Sequence, residues 1–168
     1  MKYQKIYLSG IVKNFPNIFL SLGSNIGDKK LNITNALFEL SEYVNIKKVS
    51  SLYESDPLLF EDQDNFYNLV IEIEYEETAL DLLNIIKNIE IKLGRQSTFR
   101  YGPRIIDIDI LFFNNQVIQE ENLTIPHYDW HNRKFVVEPL SELINQKILI
   151  DESNIINQNI KNIGNIIY

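Results

Sequence analysis

The chain carries two rhythms of apolar and polar positions. From Phe66 to Tyr75 the residues alternate: Tyr67, Leu69, Ile71 and Ile73 fall on one face, Phe66, Asn68, Val70, Glu72 and Glu74 on the other. That two-residue period predicts a β-strand. The short apolar run Ile18–Leu22 predicts a buried strand that ends in the loop Gly23–Asp28. Leu31, Ile33, Leu37, Leu40 and Val44 then follow at helical spacing, so Asp28 is the expected N-cap of an amphipathic helix running to about Tyr43. Ile46–Tyr53 is a second expected strand, and Ser55–Asn65, with Pro57, a loop. Leu82, Leu83, Ile86, Ile89 and Leu93 define another helix, opened by Thr78 with Asp81 and closed by Gly94.

Beyond Gly94 the pattern predicts a strand over Ile105–Phe113, a turn at Asn114-Asn115 and a short hairpin partner at Val117-Ile118. Pro126–Arg133 reads as a loop or single helical turn and Phe135–Val137 as a strand. Pro139 suits the first position of a helix through Ile144. Ile156, Ile160, Ile163 and Ile167 are again helically spaced. The expected organisation is an extension over 1–17, a domain over 18–150 and a helical tail over 151–168. Interspersed strands and helices, with hairpin-like strand pairs, favour an α+β sandwich over a doubly wound sheet.

Composition narrows the class. With 168 residues the chain suits one domain with a proper core. It has no cysteine, which excludes disulfides, thiolate zinc sites and cysteine nucleophiles. No uncharged run approaches the roughly 18 residues of a membrane span, and the first 17 residues lack the form of a secretory signal, so a cytoplasmic protein without a membrane partner is expected. Isoleucine (27) and asparagine (20) are over-used, a bias of the coding sequence. The net charge of −7 opposes non-specific nucleic-acid binding. Yet Ile91–Ile106 contains no acid and gathers Lys92, Arg95, Arg100 and Arg104. One basic loop on an acidic protein suits a small anionic ligand.

The usual phosphate-binding glycine motifs are missing, so side chains and metal must handle any phosphate. In Arg104-Ile105-Ile106-Asp107-Ile108-Asp109-Ile110-Leu111 the strand period puts both carboxylates on one face and Ile106, Ile108 and Ile110 on the other. Converging carboxylates about 5 Å apart repel by about 3 kcal/mol at an effective dielectric of about 20. Mg²⁺ shared with substrate phosphates would remove that cost; solvation or arginine pairing is the bland alternative. Arginines beside the acids supply the forked donors that phosphate oxygens need. His127 and His131, the only histidines, read alone as exposed or capping residues. Phe66 and Asn68 share a strand face, either as an aromatic plate with an amide reading a heterocycle edge or as a core phenylalanine beside a polar neighbour.

Leu22-Gly23-Ser24-Asn25, Phe66-Tyr67-Asn68, Arg100-Tyr101-Gly102-Pro103-Arg104-Ile105-Ile106-Asp107-Ile108-Asp109-Ile110 and Leu123-Thr124-Ile125-Pro126-His127-Tyr128 with Asn132-Arg133 together resemble the 6-hydroxymethyl-7,8-dihydropterin pyrophosphokinases, over roughly Ile18–Ile144. The resemblance implies a ferredoxin-like α+β sandwich with a central antiparallel sheet, and an enzyme of folate biosynthesis. Its reaction moves the β,γ-pyrophosphoryl group of ATP to the pterin hydroxymethyl oxygen and releases AMP. By the same resemblance Asp107 and Asp109 hold two Mg²⁺ ions, and Arg95 and Arg104 stabilise phosphate charge. Lys87, Glu90, Arg100, Tyr101, Arg104, Ile110, Thr124, His127, Tyr128 and Arg133 line the ATP site. Phe66 and Phe135 stack on the pterin, Asn68 bonds its edge, and Ser55, Asp56 and Leu58 offer backbone contacts. Such domains occur fused to dihydropteroate synthase or dihydroneopterin aldolase. Alternative readings are another two-metal nucleotidyl- or phosphoryl-transfer enzyme on the same fold, a catalytically silent relative, or a ferredoxin-like RNA-binding module, which the acidic charge opposes.

Overall fold

A computed structural model describes residues 15–58, 62–99, 101–148 and 158–168. The order is β1 (Ile18–Ser24), α1 (Lys29–Ser41), β2 (Asn45–Val49), β3 (Tyr53–Ser55), β4 (Phe66–Glu74), α2 (Ala79–Lys92), β5 (Asp107–Phe112), β6 (Ile118–Glu120) and β7 (Leu123–Ile125). A 3₁₀ turn (Trp130–Asn132), α3 (Lys134–Ile144) and β8 (Ile160–Asn162) follow. The main sheet is antiparallel, ordered β5-β1-β4-β3-β8, with β2 also paired to β4 beyond the end of β3. Taking β2 and β3 as one interrupted strand, the chain follows the βαββαβ course of a ferredoxin-like fold.

The expected caps form. Asp28 accepts from the Leu31 amide at 3.0 Å, and Thr78 accepts from the Asp81 amide at 3.2 Å. Gly94, at φ +92°, closes α2 in the left-handed region that glycine enters without strain. The first helix stops at Ser41, close to its expected end.

Two apolar layers fill the space around the sheet. One face carries Leu20, Leu22, Leu69, Ile71, Ile73, Ile108 and Ile110 against α1 and α2. The other carries Phe19, Val70, Leu111 and Phe112 against Val136, Val137, Leu140 and Leu143 of α3, with Trp130. Phe15 joins this second layer at 5% exposure and stacks on Phe112 at 4.1 Å. The last residues of the expected extension therefore pack with the core.

Four expectations change. The strand expected over Ile46–Tyr53 is two, because the Val70 amide donates to the Ser50 hydroxyl at 3.0 Å in place of a main-chain carbonyl, and regular pairing with β4 resumes only at Tyr53. Phe135–Val137 belongs to α3 instead of a strand, and Pro139 lies inside that helix. Val136, Val137, Leu140 and Leu143 recur on its buried side, and that burial overrides the strand preference of adjacent valines. Ile118 pairs with Ile125 of β7 rather than with β5, leaving Val117 66% exposed. The turn before it is instead held to the N-terminal segment, through amide bonds from Asn114 to Asn17 O and from Asn115 to Phe15 O. The tail forms β8 rather than a helix, because β3 offers an open edge on which it completes a ladder; Ile156 lies outside the described residues.

Phe15→Ala should cost about 3–5 kcal/mol, the usual penalty for emptying a buried phenylalanine site, although this residue lies before the first predicted strand. Urea unfolding reads the loss; a shift within about 0.5 kcal/mol would show that the segment contributes no packing.

Candidate active site

Along the α3 side of the sheet, three neighbouring strands change from apolar to polar, β1 and β5 at the level of Ser21 and Asp109 and β4 one pair later at Asn68, since Val70 stands opposite Ser21. On β1 the sequence of inward residues is Phe19, Ser21, Gly23; on β4 it is Val70, Asn68, Phe66; on β5 it is Leu111, Asp109, Asp107. Register aligns these rows, with Asp109 opposite Ser21 and Asp107 opposite Gly23, which in turn faces Asn68. The apolar half lies under α3. The polar half is the floor of a cleft of about 330 Å³. Small residues on the central strand keep the floor open: a Cβ on Gly23 would stand 3.0 Å from Asn68 Oδ1.

The cleft gathers most of the residues singled out above. Asp107, Asp109, Arg95, Arg104, Lys87, Tyr101, His127, Tyr128 and Arg133 line it together with Ser55, Asp56, Leu58, Phe66, Asn68 and Phe135. Glu90 lines an adjoining cavity of about 370 Å³, which shares Lys87, Arg95 and Arg104 with the first. Two residues are not brought to either cavity. Ile110 points into the α1–α2 core, and Thr124 is exposed on β7. Arg100 lies outside the described residues.

Charge in the cleft is organised by Glu90 and Asp107. Glu90 is 2% exposed; its carboxylate accepts from the Ile108 amide at 2.8 Å and pairs with Lys87 at 3.1 Å and closely with Arg95. Arg95 also reaches Asp107 at 2.7 Å, and Arg104 reaches the other Asp107 oxygen at 2.5 Å. Two guanidiniums thus grip one carboxylate. Burying Glu90 without these partners would be costly, so the basic loop is tied to α2 and β5 at the same point.

Asp109 is less well supplied, with His127 Nε2 at 3.8 Å and Arg133 Nη1 at 3.6 Å. Burial first, and the charge of Asp107 second, push its pKa up to about 7. Burial and the nearby Arg133 push His127 down to about 4. His127 Nδ1 accepts from the Asp129 amide at 3.2 Å, which leaves the ring proton on Nε2, facing Asp109. Arg133 is aimed by Asp129, which accepts from its Nε at 3.1 Å.

Pattern reading missed a second layer that holds the rim. Asn25, 2% exposed, accepts from the Arg104 amide at 2.8 Å and donates to Gln63 Oε1 at 2.9 Å and to Asp64 O at 3.1 Å. Gln63 donates in turn to Tyr101 O at 2.9 Å. The Leu22–Asn25 motif gave the position of Asn25 but no partner. Asp129 also lines the cleft without having been singled out; its position before Arg133 was the available signal.

An antiparallel ferredoxin-like sheet with paired acids, facing arginines and an aromatic-lined cleft defines a class of phosphate-handling α+β enzymes. Comparison with known proteins is more specific. The model of the 7,8-dihydro-6-hydroxymethylpterin-pyrophosphokinase (HPPK) family matches residues 19–145, and the chain belongs to that family. It is 42% identical over 130 residues to the 2-amino-4-hydroxy-6-hydroxymethyldihydropteridine pyrophosphokinase of Bacillus subtilis, covering 76% of this chain and 78% of that one. It is 43% identical over 126 residues to the folic acid synthesis protein FOL1 of Dictyostelium discoideum, covering 75% of this chain but 19% of the relative. The HPPK-DHPS crystal structure of Plasmodium falciparum has a TM-score of 0.61 at 22% identity, covering 84% of this chain and 41% of that one; this likeness speaks for the fold. Among the described residues no helix is long and apolar enough to cross a membrane.

The two shifted groups oppose each other in stability. Asp109, raised above its unfolded value, contributes stability below about pH 4 that is lost as pH rises toward about 7. His127, depressed, contributes stability above about pH 6.5 that is lost as pH falls toward about 4. Asp109→Asn should therefore melt above the parent at pH 8 without metal, and steepen the rise of stability from pH 4 to 6.5. Superimposable melting curves would show that Asp109 carries no such strain. Separately, Glu90→Ala should be less stable in urea than Glu90→Gln by about 1–3 kcal/mol, since only the first orphans the Ile108 amide; equal midpoints would remove that bond from the account.

Proposed function

We propose that the cleft binds ATP with Mg²⁺ and 6-hydroxymethyl-7,8-dihydropterin together, and transfers pyrophosphate between them. The observation that carries this reading is the division of one cleft floor. Carboxylates and guanidiniums gather on its β5 side; Phe66 and Asn68 of β4 stand across the small residues of β1, and Phe135 joins the lining from the first turn of α3. Family membership supports it.

The acids suit a hard cation. Asp107 and Asp109 offer oxygen ligands on one strand face, and the raised proton affinity of Asp109 marks negative charge with too little compensation. Among the described residues no group of three or more acids and histidines forms a complete cage. That suits Mg²⁺, which takes few protein carboxylates and completes its shell with water and phosphate. Two such ions, when bound with ATP, would neutralise phosphate charge and lower the pKa of the attacking hydroxyl.

The chain's own part is positioning. Arg95 and Arg104 are paired with Asp107; a cation held by that carboxylate would compete with these pairs and leave the two guanidinium forks available to phosphate oxygens. Lys87, Tyr101, His127, Tyr128 and Arg133 form the ATP wall, joined by Glu90 through its hold on Lys87 and Arg95. Neutral His127 presents its Nε2–H beside Asp109 without adding charge. On the opposite side Phe66 and Phe135 sandwich the pterin, while Asn68 donates to Ser55 Oγ at 2.9 Å and is thereby turned to read the ring edge. Ser55, Asp56 and Leu58 close that end with main-chain groups.

The hydroxymethyl oxygen attacks the β-phosphorus, the bond from that phosphorus to the α,β-bridging oxygen breaks, and AMP departs while the hydroxyl proton passes to solvent. Activity of this kind places the protein in folate biosynthesis. Related domains fused to dihydropteroate synthase or dihydroneopterin aldolase suggest those enzymes as neighbours.

Incubation with ATP, Mg²⁺ and hydroxymethyl-dihydropterin should yield AMP and a pyrophosphorylated pterin. ADP as product, or released pyrophosphate, would overturn the reading in favour of ordinary kinase or nucleotidyl transfer. Arg104→Ala should lower kcat by about 10²–10³, the usual loss for one oriented donor to transition-state charge; parent-like turnover would remove Arg104 from the phosphate site.

A further inference from the structure

The family match ends at residue 145, yet the chain afterwards returns to the cleft. Strand β8 pairs with β3, Ile160 opposite Ser55 and Asn162 opposite Tyr53. Pairing continues as the Ile163 amide donates to Leu52 O at 2.9 Å and the Leu52 amide to Gly164 O at 2.7 Å. Ile166 then enters the α1–α2 core at 9% exposure. The far end of the tail is therefore anchored by a ladder and by burial.

Its near end bridges two separate walls. Asn159 Nδ2 donates to Asp56 Oδ2 at 2.6 Å, and the Asp56 amide donates to Asn159 O at 3.3 Å. The preceding residue, Gln158, accepts at Oε1 from the Lys134 amide at 2.8 Å and donates from Nε2 to Asn132 O at 2.7 Å. Asp56 belongs to the wall with Ser55 and Leu58; Asn132 and Lys134 flank Arg133 and lead to Phe135 on the other wall. Arg133 provides no side-chain cap to α3, and Gln158 supplies that acceptor from outside the helix. No direct hydrogen bond joins residues 56–58 to residues 132–135 among the described residues.

We infer that Gln158 and Asn159 are positioning residues that fix the spacing of the two walls at the pterin end of the cleft. This rests on the pterin reading above, because the strap spans the end lined by Phe135 and Asp56 rather than the end lined by Arg95. Neither residue lines the cleft, so each acts through the segment it holds. A wall left to itself must be ordered when the substrate arrives, and that ordering subtracts from affinity. The strap carries out the ordering in advance.

Gln158→Ala and Asn159→Asp test the idea; the second sets a carboxylate against Asp56. Each should raise the KM for hydroxymethyl-dihydropterin about tenfold, since small misplacements of binding groups cost of this order or more. Asn159→Asp, which loosens the Asp56 wall, should change the KM for ATP less than twofold, whereas Gln158→Ala, which frees the segment carrying Arg133, should raise both. Pairing Asp56→Asn with Asn159→Asp restores a donor and an acceptor in reversed order and should recover most of the pterin KM. Lys161→Ala, on an exposed β8 position that bridges nothing, should leave both constants unchanged. Hydrogen exchange of the Asp56 and Lys134 amides, which needs no substrate, should quicken in Gln158→Ala and Asn159→Asp. Unchanged exchange, or pterin and ATP constants that move together in Asn159→Asp, would overturn the strap. Failure of the parent to make AMP would instead overturn the pterin reading, and the exchange data would still decide the strap.

Discussion

A β-sheet has two faces, and here only one and a half of them are covered. The α1–α2 layer buries its side of β1, β4 and β5 along their length, while α3 covers the opposite side only as far as Phe19, Val70 and Leu111. Beyond those residues the same strands must present something compatible with water. They present serine, glycine, asparagine and two aspartates. The cleft exists because the second apolar layer stops where it does, and the strands remain rigid there because their reverse face stays packed. Groups placed on such a floor keep their spacing without rearrangement.

Confining acids to that floor creates a conflict that the rest of the site answers. Asp107 and Glu90 attract Arg95, Arg104 and Lys87, and those contacts tie α2, the basic loop and β5 together. Asp109 lacks an equally close cation and holds its proton near neutrality. An acid left under-compensated on a well-packed strand is a stability cost retained at a binding surface. Asn25 and Gln63 meet the corresponding need at the rim, where their side chains hold the main chain of Arg104 and Tyr101.

Period and punctuation made β1, α1, β4 and α2 legible, along with both caps and the facing aspartates, while β2 and β3 read as one strand with Ser55 in the loop beyond it. The alternation in Phe66–Glu74 even separates the two layers, since Leu69 and Ile71 enter one core and Val70 the other. Local pattern failed where distant chain decided the outcome. Nothing near Val136 and Val137 announces that their partners are Phe19 and Trp130, so adjacent β-branched residues looked like a strand and Pro139 like a start. A proline inside the helix gives up the bond to the carbonyl four residues back, a loss accepted because both flanks are buried. The tail shows the same limit. Its isoleucines have helical spacing, but strand formation there depends on a free edge more than a hundred residues earlier in the chain. Within the site, residue types and faces were readable, whereas Asn25 with Gln63 and Asp129 with Arg133 required knowledge of which loops meet.

Capping β3 with β8 has a consequence for the molecule's neighbours. An uncovered β3 would present open amides and carbonyls to any passing extended chain, and sheets so exposed tend to recruit one another. The added strand is only three residues long, carries the exposed Lys161 at its centre and gives way to Gly164 at positive φ. A second molecule adding here would find a short, charged template that soon bends out of line. The same segment that finishes the sheet thus discourages its growth into a larger one, which favours a dispersed protein in a crowded cell.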